Sequence, residues 1–307
     1  MSKSFEDLLS KVSTYSMKTV AVAVAQDEAV LEAVHAAKER HIANAILVGD
    51  ESKILEIAKG LHMDLSGIEI VNEPDIAAAT LKAVELVHNK KADILLKGLV
   101  DSKTFLKSVL NKEVGLRTDK MMSHVCVFEI EGIDRLLFFT DVAFNTYPNL
   151  EEKVKIINNT VEIARACGIE TPKVAPICAV EVVNPKMPPT VDADELTKMN
   201  ERGEIKNCIV HGPLSMDLAI SEAAAKHKGG LTNPVIGNAD ILLFPNIDAG
   251  NITYKLLVQT AKVKNGNMLI GASAPVILTS RSDGFEIKVN SIALASVIAE
   301  SLKQKEQ

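Results

Sequence analysis

The run Thr19-Val20-Ala21-Val22-Ala23-Val24-Ala25 limits the possible folds more than any other stretch of the chain. It is apolar after its first residue and β-branched at alternate places, so a strand built from it has no face that favours water. Such a strand is covered on both sides, and its neighbours are expected to be helices. The flanking pattern agrees. Val30, Leu31, Val34 and Ala37 recur at helical spacing, residues 45–50 read as a second strand, and residues 53–59 as a short helix. This alternation predicts a parallel sheet with right-handed crossovers.

It continues through a strand at 68–71, a helix at 75–89 opening after Pro74, a strand at 92–96, a loop at 97–102 and a helix at 104–111. Then the pattern changes. Residues 124–130 and 135–140 are strands joined by Glu131-Gly132-Ile133-Asp134, which predicts an antiparallel hairpin with a domain border nearby. A second alternation follows: helix 150–167 stopped by Gly168, strand 173–179, a proline-rich loop at 184–189, helix 192–200 and strand 207–210. Ser215 offers an N-cap to a helix starting at Met216, and 226–233 is a polar loop. Strands at 267–271 and 276–280 and a helix at 290–303 complete the chain.

At 307 residues the chain is long enough for one large or two medium domains. A net charge of −6 leaves no electrostatic footprint for nucleic acid or for an acidic membrane surface, so a polyanionic ligand must meet a local basic patch. The N-terminal Met-Ser-Lys-Ser-Phe-Glu-Asp carries charge where a signal peptide needs an apolar core, and no apolar run is long enough for a membrane span. A cytoplasmic protein is expected. Cys126, Cys167, Cys178 and Cys208 have no CxxC spacing and read as free buried thiols, not a zinc site or a disulfide framework. No HExxH, GxxxxGK[ST] or GxGxxG occurs, so no metal and no nucleotide fingerprint is indicated.

Two late segments place polar side chains where strands end. In the first, residues 239–256, an apolar strand runs into a polar turn with Pro245 and Gly250 and then a helix. Asn246, Asp248, Asn251 and Lys255 therefore lie where open α/β sheets bind ligands, beside helix-start N–H groups that attract anions. The same residues also read as ordinary helix caps. The second segment, Leu278-Thr279-Ser280-Arg281-Ser282-Asp283, ends a strand in a hydroxyl, a guanidinium and a carboxylate. By spacing alone, that Ser-Arg pair is an N-cap and a surface charge.

Both segments resemble the phosphotransacetylase and phosphotransbutyrylase family, which moves an acyl group between coenzyme A and inorganic phosphate. The resemblance extends over nearly the whole chain, and the Thr-Ser-Arg-Ser-Asp form is closer to the phosphate butyryltransferase branch than to the acetyl branch. It implies an α/β fold of the isocitrate and isopropylmalate dehydrogenase-like kind: two domains, mostly parallel sheets flanked by helices, and an interdomain cleft. Residues 1–130 with 269–307 would form the first domain and 131–268 the second. Acyl-CoA and inorganic phosphate are the implied partners, with coenzyme A as substrate, no bound cofactor, and a homodimer or higher homo-oligomer as the assembly.

The resemblance also assigns roles. Arg281 would hold phosphate through its planar fork, and Ser280 would donate to the developing oxyanion or position the thiol without acting as nucleophile. Asp283 would accept the coenzyme A thiol proton. As the start of an Asp-Gly turn it has a second reading, in which solvent or bound phosphate handles that proton. The aspartate that acetyl-transferring relatives carry six residues after the arginine is Ile287 here, and Glu286 is the other carboxylate nearby.

Asn246, Asp248, Asn251 and Lys255 would bind substrate, as would Gly212 and Ser215 on a turn that resembles the family's Asp-Gly-Pro or Asp-Gly-Glu. His211 stands where an acidic residue is frequent and receives no catalytic role. Lys107 replaces a common arginine and would contribute a point charge, while Arg117 is a weaker candidate for a coenzyme A phosphate. Val142 stands where acetyl enzymes often have cysteine, which argues against a cysteine nucleophile. Two alternatives stay open: a dehydrogenase on the same scaffold, which needs an aspartate cluster and an arginine set not found here, and a non-catalytic sensor of acyl-CoA or acyl phosphate.

Overall fold

The structure is a computed structural model, and it describes residues 2–228, 232–280 and 283–306. The chain divides into two compact units, Phe5–Lys120 with Asn265–Gln307 and Met1–Ser4 with Met121–Lys264. The sequence-based borders at 130 and 268 lie further along the chain than these crossings. Strand pairing accounts for the first difference, because both strands of the hairpin that begins at Ser123 stay in one unit.

In the first unit, α1 (Phe5–Val12) is followed by β1 (Lys18–Ala23), α2 (Glu28–Glu39), β2 (Ala43–Gly49), α3 (Glu51–Gly60), β3 (Glu69–Asn72), α4 (Ile76–His88), β4 (Ile94–Lys97) and α5 (Ser102–Val109). β1 lies between β2 and β4, parallel to both, with Val20 opposite Ala45 on one side and Ile94 on the other. Val20 to Ala25 are no more than 1% exposed, the two-sided covering expected of an unbroken apolar run. Four helices open on an aspartate N-cap. Asp27, Asp50, Asp75 and Asp101 each accept the backbone N–H three residues on, a cap that contributes about 1 kcal/mol apiece.

The second unit contains β5 (Ser123–Ile130), β6 (Leu137–Thr140), α6 (Leu150–Ala166), β7 (Lys173–Pro176), α7 (Pro188–Glu201), β8 (Ile209–Val210), α8 (Met216–Ile220), α9 (Glu222–Lys228), β9 (Ile241–Leu243) and α10 (Ile247–Thr260). Its strand order is β5-β6-β9-β7-β8. The β5–β6 hairpin is antiparallel, as read from the sequence, and the remaining pairs are parallel. Phe128, Phe139, Phe244 and Tyr254 stack through ring-centroid distances of 4.8, 5.4 and 6.0 Å and seat α10 on the sheet. Helix α7 starts at Pro188, inside the stretch read as loop, because proline suits the first helical turn. The segment after Met216 breaks at Ser221, whose backbone is extended.

The chain returns to the first unit with β10 (Val263–Ile270), β11 (Val276–Ile277) and α11 (Phe285–Glu306), and there the strand order is β3-β2-β1-β4-β11-β10. α11 begins before the expected residue 290. From Ser291 to Ala299 each residue is buried, so the helix has no polar face from which its start could be read.

Lys18 fastens β1 to α11: its Nζ lies 2.6 Å from Glu300, with the side chains 3% and 19% exposed. The hydrogen bond from Lys18 holds the Glu300 carboxyl below its usual value of 4.5. Its stabilisation is therefore present above that value and lost as pH falls through the lowered one. Glu300→Gln is expected to cost about 2 kcal/mol in urea unfolding at neutral pH, less than for a fully buried pair because Glu300 reaches solvent. The gap between variant and wild type should close as the medium is acidified. A difference independent of pH would show that the charge does not contribute.

Candidate functional site

In the second unit the parallel strands β6, β9 and β7 end together at Thr140, Leu243 and Pro176. The chain beyond these ends supplies the polar groups. Asn246 is the N-cap of α10, with extended backbone and a side chain that accepts the Ala249 N–H at 3.0 Å. Asp248, in the first turn, accepts the Tyr147 hydroxyl, which raises the Tyr147 pKa. Asn251 Nδ2 donates to the Val142 carbonyl at 2.9 Å, and the Ile247 N–H donates to Thr146 at 2.8 Å. Lys255 is exposed, its Nζ 5.4 Å from the Tyr254 ring centroid. The helix start thus rests on the turn after β6, and the four residues predicted from its sequence lie along it.

Gly212 and Ser215 lie on the turn after β8. Gly212 exchanges hydrogen bonds with the Thr197 hydroxyl at 3.0 and 3.1 Å, and an added Cβ would lie 3.1 Å from Pro176, so glycine fits where this turn crosses the end of β7. Ser215 occupies the N-cap position of α8 without making the expected cap bond. Its hydroxyl lies instead between the carboxylates of Glu181 and Asp217, which share its one hydrogen. Ser215 and Lys228 hold the Asp217 carboxyl down to about 2, and the immediate surroundings of Ser215 are acidic. His211 is half-buried, and burial lowers its pKa.

The other candidates belong to the first unit. The Ser280 N–H donates to Asp283 Oδ2 at 2.8 Å and the Asp283 N–H to the Ser280 carbonyl at 3.1 Å, a reciprocal pair. Asp283 is 5% exposed, and its carbonyl accepts the buried Lys288 ammonium. Burial lowers the Lys288 pKa, against the pull of Asp27 and Asp283. Arg281 lies outside the described residues. Glu286 is exposed in the first turn of α11, Lys107 is exposed in the last turn of α5, and Arg117 is exposed.

All four cysteines are free and buried, and burial pushes the Cys178 and Cys208 thiols up to about 11, which suppresses their thiolates. Asp141, Tyr147, Thr197 and Lys288, none of which has a role assigned from the sequence, hold candidate residues in place. For Asp141 and Tyr147 the cue is their place in the segment Asp141 to Pro148, after a strand end, which resembles a family segment as a whole.

The family model described as "Phosphate acetyl/butaryl transferase" matches residues 4–79 and 75–296. The chain is 62% identical over 299 residues to a phosphate butyryltransferase of Clostridium acetobutylicum, covering 97% of this chain and 99% of that one. It is 45% identical over 282 residues to a phosphate acetyltransferase of Thermotoga maritima, covering 92% and 95%. Among solved structures it is similar to a branched-chain phosphotransacylase from Enterococcus faecalis V583, with TM-score 0.83 and 35% identity over 92% of this chain and 99% of the other.

Proposed function

This chain belongs to the phosphate acetyl/butaryl transferase family, and on that premise we propose that butyryl is the group it moves and that Ser280 and Arg281 carry the transfer. It is an enzyme of the phosphate acyltransferase type, interconverting acyl-CoA plus phosphate with coenzyme A plus acyl phosphate. An oxygen of hydrogen phosphate attacks the thioester carbonyl carbon and the C–S bond breaks. The phosphate proton is passed to the departing sulfur. Atoms and charge balance without an electron carrier, and coenzyme A enters as a substrate.

Arg281 meets the phosphate with two charge-assisted hydrogen bonds, and Ser280 donates to the carbonyl oxygen as it becomes negative. The α10 start, with Asn246, Asp248, Asn251 and Lys255, binds substrate, assisted by Gly212, Ser215, Lys107 and Glu286. Asp283 is assigned the thiol proton. Its burial and the bond it accepts from the Ser280 N–H favour a second role, holding Ser280 in place. We place the enzyme in the cytoplasm as a homodimer or higher homo-oligomer. In support of a location away from the lipid bilayer, no helix among the described residues is long and apolar enough to cross a membrane.

The observation that carries the butyryl reading is the greater likeness to the butyryltransferase, which extends along nearly the whole of both chains. Steady-state kinetics with acetyl-, propionyl-, butyryl- and isobutyryl-CoA tests it by thiol release with and without phosphate. Because each methylene is worth about 1–3 kcal/mol of discrimination, kcat/KM for butyryl-CoA is expected to exceed that for acetyl-CoA by at least about tenfold. Equal values would remove butyryl as the preferred group. Release that ignores phosphate would remove acyl transfer itself.

A further inference from the structure

We propose that Asp141 is a positioning residue for acyl transfer, whose buried carboxylate organises the turn 141–147 on which the substrate-binding start of α10 is mounted. The inference rests on the reading of that helix start as part of the substrate site.

Asp141 follows the last residue of β6 and is 2% exposed, so it does not touch substrate and acts through its neighbours. Each carboxylate oxygen serves two donors. Oδ1 accepts the Ala143 and Phe144 N–H groups at 3.0 and 2.8 Å, and Oδ2 accepts the His124 N–H at 2.9 Å and Asn145 Nδ2 at 2.7 Å. Four donors aimed at its two oxygens replace the hydration that the side chain loses on burial. Two of them are consecutive backbone amides, so the carboxylate dictates the course of the chain immediately after it.

What the turn does with that course is hold α10. Val142 presents its carbonyl to Asn251, Thr146 presents its carbonyl to the Ile247 N–H, and Tyr147 places its hydroxyl on Asp248. Gly250 approaches so closely that an added Cβ would lie 2.6 Å from the Asp141 carbonyl oxygen. Ile247, Asp248 and Asn251, all within the first five residues of α10, are therefore tied to one turn, and the turn is shaped by one carboxylate. A shift of this turn moves the candidate anion-binding end of the helix with it.

Asp141→Asn keeps the side chain's shape but replaces one acceptor oxygen with an NH₂ that faces N–H donors. Asp240→Asn is the matched control. Asp240 is 4% exposed and accepts the Lys173 N–H at 2.9 Å, but it precedes β9 whereas α10 follows it. Asp141→Asn is expected to raise KM for phosphate at least about tenfold with a smaller change in kcat, as for misplaced binding groups, while Asp240→Asn lowers thermal stability and leaves KM unchanged. Hydrogen exchange read by mass spectrometry should quicken in peptides covering residues 141–150 and 245–255 in the first variant only. An unchanged KM with unchanged exchange overturns the proposal, as does the same KM rise in Asp240→Asn.

If Asp141→Asn does not fold, Tyr147→Phe decides at an exposed position. It is expected to raise KM for phosphate a few fold, and an unchanged value sinks the proposal. Should wild-type enzyme lack phosphate-dependent release, the acyltransferase reading fails by that result, and the exchange comparison still judges Asp141 by itself.

Discussion

Replacing Arg281 with alanine is expected to lower phosphate-dependent thiol release from butyryl-CoA by about a thousandfold while leaving the melting temperature within a degree or so, the pattern of a lost transition-state contact. Phosphate brings up to two negative charges to a carbonyl whose oxygen is itself becoming negative, on a chain with a net charge of −6. A guanidinium matches two phosphate oxygens at once, and it cannot lose its charge at any working pH. Arg281→Lys separates charge from geometry, because an ammonium restores the first and not the fork. It should recover part of the rate, with KM for phosphate still raised. On either side of Arg281, the Ser280 N–H donates to the Asp283 carboxylate, the Asp283 N–H donates to the Ser280 carbonyl, and the Lys288 ammonium donates to the Asp283 carbonyl. Near wild-type turnover in Arg281→Ala would exclude it from the anion site.

The parts legible in the sequence are those in which chain pattern and structure share one cause. The run around Val22 declares a strand buried on both faces because each residue there must tolerate it, and Asp75 after Pro74 declares a helix start because its carboxylate caps Ala78. Helix α11 shows the converse. Ile292 to Ile298 are buried one after another, so no period separates inside from outside.

The candidate site divides in the same way. Asn246, Asp248 and Asn251 were visible because polar residues directly after an apolar strand fall at a strand end. What holds them was not visible. Asn251 meets Val142 across 109 positions and Asp248 meets Tyr147 across 101, and no local pattern encodes such pairings. Ser215 illustrates the cost of that blindness. Its local context reads as an N-cap, yet the hydroxyl goes to Asp217 and to Glu181, which is 34 positions away.

Gly250→Ala brings this long-range dependence to a measurement, and it is expected to destabilise the protein by about 2 kcal/mol and lower kcat/KM by about a hundredfold. Propensity alone predicts the opposite, since alanine in a helix interior is worth about 1 kcal/mol over glycine. Here the new methyl would lie 2.6 Å from the Asp141 carbonyl oxygen and 3.1 Å from the Val142 Cα, and both are backbone atoms with no rotamer to escape into. Relief requires α10 to lift away from the turn, which lengthens the 2.9 Å bond from Asn251 to Val142 and the 2.8 Å bond from Ile247 to Thr146. The helix start carries the candidate substrate groups, so the steric strain becomes a catalytic loss as well as a folding loss. Gly60→Ala provides the contrast, because Gly60 ends α3 with nothing within 4 Å of an added Cβ. There the unfolded-chain and propensity terms act unopposed and should stabilise by about 0.5–1 kcal/mol with unchanged kinetics. If Gly250→Ala behaves like Gly60→Ala, α10 does not need its seat on the Asp141 turn, and substrate binding at its start must be organised some other way.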